Sequence, residues 1–166
     1  MRVLFDTIRA AIYSAGFVVL WGYVALWVRG YDARLGVVLP QWSPYLGVAV
    51  SALGAALCLA CIGTFVVRGR GTPAPFDAPR QMVAVGPYRW VRNPMYLGGA
   101  LVMLGFGGYE RSLSILLLAA VFLLAANFFV LLYEEPTLRA RFNGSYEEYC
   151  RAVWRWIPRP PRRQAS

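Results

Sequence analysis

The stretch from residue 96 to residue 133, YLGGALVMLGFGGYERSLSILLLAAVFLLAANFFVLLY, decides the fold. It contains two apolar runs, 96–109 and 113–133, which are separated only by the polar residues 110–112. The second run has about the 20 residues that a helix needs to cross roughly 30 Å of hydrocarbon. Because so short a connection allows only a tight turn, we predict a helical hairpin within a membrane.

Two further apolar runs precede this hairpin, Ile8–Val28 and Tyr45–Val67, and each is also about 20 residues long. The run 96–109 is short, so it can cross only if Pro94 and the residues before it are sheltered by protein. The sequence therefore predicts an all-α, polytopic membrane protein with four transmembrane helices, formed as one integral-membrane domain over residues 1–166. Counted along the chain, the four runs are Ile8–Val28, Tyr45–Val67, 96–109 and 113–133. In the run Tyr45–Val67, small residues offer close helix contact, namely Gly47, Gly54 and Gly63.

Composition and charge favour the same environment. Hydrophobic residues make up 58% of the chain and the mean hydropathy is +0.48, so one soluble core would not hide the apolar surface. All 17 basic residues are arginine, against 8 acidic ones, which gives a net charge of +9. The arginines flank apolar runs rather than alternate with polar faces, so nucleic acid is not the expected partner. The expected partner is the lipid bilayer.

The arginines also predict the orientation. Two lie before or at the start of the first run, five lie between the second and third, and seven follow the fourth, whereas only three lie in the other connections. Because cytoplasmic loops of membrane proteins are enriched in arginine, both termini and the long loop 68–93 are predicted to face the cytoplasm, with the chain in the cytoplasmic (inner) membrane.

The chain after the fourth run predicts an amphipathic interfacial helix, or a pair of helices broken at Gly144. Residues 160–166 are expected to form a basic disordered tail. Cys58 and Cys61 form a C-x-x-C inside an apolar run, and the chain has no histidine, so we interpret both as packing residues and predict no metal site. The apolar face of the C-terminal helix is predicted to contain Leu138, Phe142, Tyr146, Tyr149, Val153 and Trp156.

Candidate chemistry lies at the predicted cytoplasmic end of the fourth run, in the pair Glu134 and Glu135. Carboxylates there either pair with nearby arginines or bind a ligand. The C-terminal end of a helix disfavours negative charge, an argument that weakens if the helix continues past Pro136. The two carboxylates could bind an ammonium group. In the loop opposite them, an arginine would suit a carboxylate, an asparagine a nucleoside and aromatic rings a sulfonium. These groups are compatible with S-adenosylmethionine. The opposite loop supplies Tyr88, Arg92, Asn93 and Tyr96.

Three segments carry a family resemblance: GPYRWVRNPMYLGG at 86–99, LLYEEPTLRARF at 131–142 and YEEYCRAVWRWIPR at 146–159. Together they resemble the superfamily of isoprenylcysteine carboxyl methyltransferases and phospholipid methyltransferases, whose core motifs would cover residues 71–159. The resemblance implies S-adenosylmethionine as cofactor at the cytoplasmic face. Arg92 and Glu135 belong to the same motifs and are our candidates for catalytic residues. The implied cofactor contacts are Arg80, Gln81, Met82, Val83, Tyr88, Asn93, Pro94, Met95, Tyr96 and Glu134.

Two departures from the superfamily pattern bear on the substrate. Asn93 stands where many members have histidine, and an amide cannot take a proton as a general base. The eukaryotic isoprenylcysteine enzymes carry an arginine about one turn before the glutamates, whereas residues 127–130 are uncharged here. The resemblance thus favours the phospholipid N-methylating branch over a prenylcysteine carboxylate.

The sequence as a whole predicts an integral-membrane methyltransferase that uses S-adenosylmethionine. The acceptor is expected to be a lipid or another amphiphilic molecule that presents an amine or a carboxylate. One alternative is a small non-enzymatic scaffold or subunit with the same fold. A second is a membrane reductase that uses a nicotinamide cofactor, whose phosphates Arg68, Arg70 and Arg80 would bind, although the glutamate pair disfavours it. The sequence does not predict an oligomeric state.

Overall fold

The computed structural model describes residues 2–65, 67 and 84–160, and all their regular structure is helical. A 3₁₀ turn, Gly86–Arg89, precedes the fourth helix, and a π-helical turn, Val130–Glu134, joins the fifth helix to the sixth. The all-α prediction is confirmed for this part of the chain. The helices are Arg2–Arg29 (α1), Asp32–Leu35 (α2), Ser43–Thr64 (α3), Pro94–Tyr109 (α4), Leu113–Phe129 (α5), Glu135–Phe142 (α6) and Gly144–Ala152 (α7).

Three helical segments among the described residues are long and apolar enough to cross a membrane: Ala11–Arg29, Ser43–Thr64 and Leu113–Phe142. They correspond to three of the four predicted runs. The remaining run forms α4, whose 16 residues extend only about 24 Å, less than the roughly 30 Å of hydrocarbon. A fourth crossing by α4 therefore stays a prediction.

Helices α3 and α4 pack backbone against backbone. A Cβ added to Gly54 would stand 2.7 Å from the Gly98 carbonyl oxygen and 2.7 Å from the Val102 nitrogen of α4. A Cβ at Gly105 would collide with Ser51. The prediction of close contact is confirmed at Gly47 and Gly54, whereas a Cβ added to Gly63 would meet no atom of the described residues within 4 Å.

The connection between α4 and α5 is the predicted tight hairpin. Arg111 adopts a left-handed φ of +53°, and its Nε and Nη2 donate to the Leu39 carbonyl oxygen at 2.9 and 2.6 Å. Ser112 then caps α5 by accepting the Ile115 N–H at 3.2 Å. Asp32 accepts the Ser114 N–H at 2.8 Å, so both α2 and the loop before α3 are tied to this turn.

The apolar core continues from α4 through α5 to α1. Phe122 of α5 is buried and meets Trp21 of α1 edge to face, with ring centroids 5.1 Å apart. On the other side of α4, Cys61 of α3 is fully buried beside Phe65 and Tyr88. Cys58 and Cys61 are free thiols; Cys61 packs in this buried cluster, and Cys58 is partly buried.

The helix that carries the glutamate pair continues past Pro136, so of the two alternatives the one without a helix C-terminus at Glu134 and Glu135 holds. The chain continues through Pro136 to Phe142, and the Glu135 N–H bonds to the Val130 carbonyl five residues back. Proline disrupts the regular α-helical bonding pattern, and a widened π turn immediately before it accommodates that disruption. The helix dipole therefore gives no argument about these carboxylates.

The C-terminal region forms two short helices rather than one, as the alternative with a break at Gly144 predicted. Asn143 separates them with φ +44°. The expectation that helix continues to Trp156 is wrong, because α7 ends at Ala152 and Val153 is extended. Residues 153–160, which we call the C-terminal segment, contain no helix and pack against the loop before α4.

Candidate active site

The loop before α4 enters the site through a fixed turn. Gly86 has φ +58°, and a Cβ there would stand 2.7 Å from the Thr64 hydroxyl, so glycine is favoured for both reasons. Pro94 then occupies the first position of α4, where a missing N–H costs no helical hydrogen bond. Residues 90–93 are thereby held between a defined turn and a defined helix start.

Tyr88 anchors this loop to α3 and α7. Its buried ring meets Phe65 edge to face at 5.2 Å, and its carbonyl oxygen accepts the Tyr149 hydroxyl at 2.7 Å. Burial raises the pKa of Tyr88 well above its ordinary value, and burial also raises the pKa of Tyr149. Both phenols therefore stay protonated. The predicted cofactor contact of Tyr88 stays a prediction.

Asn93 is buried and its Nδ2 donates to the Arg155 carbonyl oxygen at 3.2 Å, so part of its hydrogen-bonding capacity is used within the protein. Pro94 is fully buried, and the Met95 carbonyl oxygen lies 3.8 Å from the Cys58 thiol. These three residues connect the loop to its neighbours. The remaining predicted cofactor contacts lie outside the described residues and are Arg80, Gln81, Met82 and Val83.

Tyr96 and Glu134, which were predicted to share a ligand, are in direct contact. The Tyr96 hydroxyl donates to Glu134 Oε2 at 3.1 Å, across 38 positions of sequence. Within the described residues, Glu134 has no other hydrogen bond and no cationic partner. Its second oxygen therefore has no donor in the described part of the chain.

Glu135, by contrast, is surrounded by arginines. Its Oε1 accepts from Arg92 Nη1 at 3.0 Å and from Arg155 Nε at 2.7 Å, and its Oε2 accepts from Arg155 Nη2 at 3.0 Å. Arg139 lies farther away, at 3.8 Å. The bond to Glu135 raises the pKa of Arg155 above its ordinary value. The two predicted catalytic residues, Arg92 and Glu135, thus bind each other.

The C-terminal segment closes over this ion pair. The Arg92 N–H donates to the Trp154 carbonyl oxygen at 2.9 Å, and the Arg159 N–H donates to the Trp90 carbonyl oxygen at 2.7 Å. The Trp156 ring lies edge to face with Tyr96, with centroids 6.4 Å apart. The segment therefore covers the loop and reaches the residue that binds Glu134.

Several residues around the glutamate pair were not predicted as site residues. Arg155 and Trp156 stood on or beside a predicted helix face, where hydrophobic spacing gave no reason to assign them a role. Asn127 was noted only as an uncharged position, although an amide inside an apolar run is a signal of function or of polar pairing. The unpredicted residues are Asn127, Tyr149, Cys150, Arg155 and Trp156, and Cys150 Sγ lies 2.8 Å from Arg92 Nη1.

The site therefore contains polar groups that are hydrogen-bonded within the protein and others that have unused hydrogen-bonding capacity in the described part of the chain. Glu135 is fully engaged and holds the architecture. Glu134 retains an unused oxygen, and Arg92 Nε is buried without a hydrogen-bond partner in the part of the chain that the structure describes. No three metal-ligating side chains come together among the described residues. The open groups suit a polar organic ligand with both donors and acceptors.

Comparison with known proteins identifies the family. The sequence profile described as phospholipid methyltransferase matches residues 42–145, which is more than half of the chain. The match extends from the residue before α3 to the beginning of α7 and includes both the Arg92–Tyr96 segment and the glutamate pair. No curated protein and no solved structure was found to match. The chain belongs to the phospholipid methyltransferase family of membrane methyltransferases.

Proposed function

We propose that this protein is an integral-membrane methyltransferase that uses S-adenosylmethionine to methylate an amphiphilic, lipid-like acceptor at the cytoplasmic face. The acceptor group is an amine or a carboxylate. Beside family membership, the observation that carries the proposal is the Tyr96–Glu134 contact, because it joins the two motifs into one site. In this proposal α4 is the fourth membrane crossing and both termini are cytoplasmic.

The polar groups present fit such a cofactor. The unused oxygen of Glu134 would accept from an ammonium or hydroxyl group, and the unpaired Arg92 Nε would donate to a carboxylate. The Tyr96 ring offers an aromatic face to a sulfonium. When bound, S-adenosylmethionine would supply an activated methyl group for direct displacement by the acceptor.

The work left to the protein is orientation and exclusion of water. Holding two reactants in line can contribute on the order of 7–11 kcal/mol to lowering a barrier. Within the proposal, the Arg92–Glu135–Arg155 network fixes the loop that holds Asn93 and the start of α4. Glu135 is poorly suited to take a proton because arginines occupy both its oxygens, so we expect Arg92 and Glu135 to act by positioning.

Proton removal would be required only for an amine acceptor. Asn93 cannot accept a proton, and the chain has no histidine. Among the described groups, Glu134 is the carboxylate with a free oxygen beside Tyr96. A carboxylate acceptor would need no base.

The test is ligand-dependent stability of the detergent-purified full chain. S-adenosylhomocysteine at about 100 times its dissociation constant should stabilise the folded state by about 2.7 kcal/mol. Glu134→Gln should abolish the rise in Tm, because it removes the negative charge that would bind the cofactor. The glutamine still offers Tyr96 an acceptor, so the contact between the two motifs is retained. Glu148→Gln, a change at an exposed glutamate, is the matched control and should keep the full response.

Two outcomes would overturn the proposal. Folded wild-type protein that does not respond to S-adenosylhomocysteine would support a non-enzymatic scaffold. Stabilisation by NADPH instead would support a nicotinamide-dependent reductase. Transfer of labelled methyl from S-adenosylmethionine into a total lipid extract, followed by mass spectrometry, then identifies the acceptor.

A further inference from the structure

Asn127 is the only amide side chain in α5, and its sequence neighbours are apolar. A polar side chain within a membrane-spanning segment is costly to leave without partners, so it points to a function or a polar contact. The residue is only partly buried, so part of its side chain is accessible. It belongs to no group that the proposed function uses.

The structure fixes how this amide is turned. Trp156 Nε1 donates to Asn127 Oδ1 at 2.8 Å. Because the indole nitrogen can only donate, the oxygen must face Trp156 and the NH₂ group must face away. In the described part of the chain, Asn127 Nδ2 has no acceptor. Two N–H donors are therefore presented, in a fixed direction, at a depth where water is scarce.

Asn127 also lies on the Glu134 side of the helix. The two positions are seven residues apart, which is roughly 10 Å along the axis, and the contacts through Trp156 place them on the same side. Trp156 bonds to Asn127 and contacts Tyr96, and Tyr96 bonds to Glu134. One continuous set of side chains thus connects an interfacial carboxylate to an amide donor deeper in the bilayer.

We propose, on the basis of the proposed function, that Asn127 is a binding residue for the acceptor and that its N–H groups donate to an ester carbonyl of a diacyl phospholipid. A phospholipid in a bilayer places its head group at the interface and its ester carbonyls below it, before the hydrocarbon begins. With the head group beside the methyl donor that Tyr96 and Glu134 would bind, the ester level is the part of such a lipid that can offer Asn127 a hydrogen-bond acceptor. Alkyl chains offer none.

Two variants separate this role from simple anchoring of the C-terminal segment. Asn127→Leu and Trp156→Phe each remove the same hydrogen bond, but only Asn127→Leu also removes the amide donors. The probe pair is diester phosphatidylethanolamine and its diether analogue, which lacks the ester carbonyls, in mixed detergent micelles. The readout is the ratio of kcat/KM values for methyl transfer from S-adenosylmethionine.

We expect wild type to favour the diester lipid by about five- to tenfold, which is the effect of roughly one net hydrogen bond. Trp156→Phe should keep part of this preference, because the amide donors remain although their orientation is no longer fixed. Asn127→Leu should bring the ratio close to one, chiefly through a higher KM for the diester lipid. Its stabilisation by S-adenosylhomocysteine should remain, because the methyl-donor contacts are elsewhere.

The inference is overturned if Asn127→Leu keeps the wild-type ratio, if both variants lose it equally, or if wild type shows no preference or methylates neither lipid. The response of wild type to S-adenosylhomocysteine, measured in parallel, tells the two proposals apart. A retained response with no diester preference contradicts only the role of Asn127. A missing response in folded wild type contradicts the proposed function itself.

Discussion

Glu134 and Glu135 are neighbours in the sequence, yet the structure gives them different surroundings. Glu134 accepts one hydrogen bond from Tyr96, whereas Glu135 is 5% exposed and binds two arginines from separate parts of the chain. The π turn that ends at Glu134 contributes to this division, because it changes the angular spacing of side chains just before Glu135. A carboxylate so enclosed is expected to act mainly on the architecture of the site.

We predict that Glu135→Gln lowers the free energy of unfolding by about 3 kcal/mol, because it leaves two partly buried guanidinium groups, those of Arg92 and Arg155, without their counter-charge. Thermal unfolding in mild detergent measures the effect. Arg139→Ala, at the half-exposed edge of the same network, is the control and should cost no more than about 1 kcal/mol. Equal losses from the two variants would contradict a structural role for Glu135.

Asp32 gives a prediction about pH. Burial works to raise its pKa, but hydrogen bonds from Ser112 and Ser114 and the charge of Arg29 outweigh it, so the folded-state pKa is lowered from 3.8. The stabilisation is thus fully present above the unfolded-state pKa and is lost as pH falls through the folded-state value.

Asp32→Asn should therefore unfold with a weaker dependence on pH than wild type in the acidic range, below about pH 5. The amide oxygen can still accept the Ser114 N–H, so the capping hydrogen bond itself is retained. Tm values across a pH series measure the difference. Parallel pH curves for the two proteins would show that the Asp32 charge contributes nothing.

At the scale of elements, the decisive contact is the backbone packing of α3 on α4. We predict that Gly54→Ala costs about 1–3 kcal/mol, because the added methyl would stand 2.7 Å from backbone atoms that cannot move without separating the helices. Gly63→Ala in the same helix meets no described atom within 4 Å and should be neutral or stabilise by up to about 1 kcal/mol. Because alanine favours a helix more than glycine does, a loss at Gly54 reports packing; comparable effects of the two substitutions would contradict the close packing of α3 on α4 at Gly54.

Elements differ in how well local pattern predicts them. The hairpin of α4 and α5 followed from two apolar runs and three polar residues, because hydrophobicity and turn length are properties of adjacent residues. The end of α7 at Ala152 did not follow, since hydrophobic spacing continues to Trp156. There the chain exchanges helical bonds for bonds to Trp90, Arg92 and Asn93, which lie more than sixty positions away.

For the whole molecule, the arginine distribution predicts the orientation in the membrane. In a variant without native cysteines, a cysteine at exposed Ser145 should react with a membrane-impermeant maleimide only after the cells are opened. Val38 is 76% exposed and lies in the loop before α3, which is predicted to face away from the cytoplasm. A cysteine there should react in intact cells. The reverse labelling pattern would contradict cytoplasmic termini. Labelling of both cysteines in intact cells would contradict their location on opposite sides of the membrane.

The sequence by itself determined the helical class, the apolar segments, the α4–α5 hairpin and the motifs of the family. These properties are local, because hydrophobic runs, short polar turns and contiguous motifs need no knowledge of distant residues. Only the tertiary structure decided that Glu135 binds Arg92 and Arg155, that Glu134 binds Tyr96, and that Trp156 orients Asn127. Each of these outcomes depends on side chains 20 to 43 positions apart, and their competition for partners is resolved only when the helices and the C-terminal segment pack together.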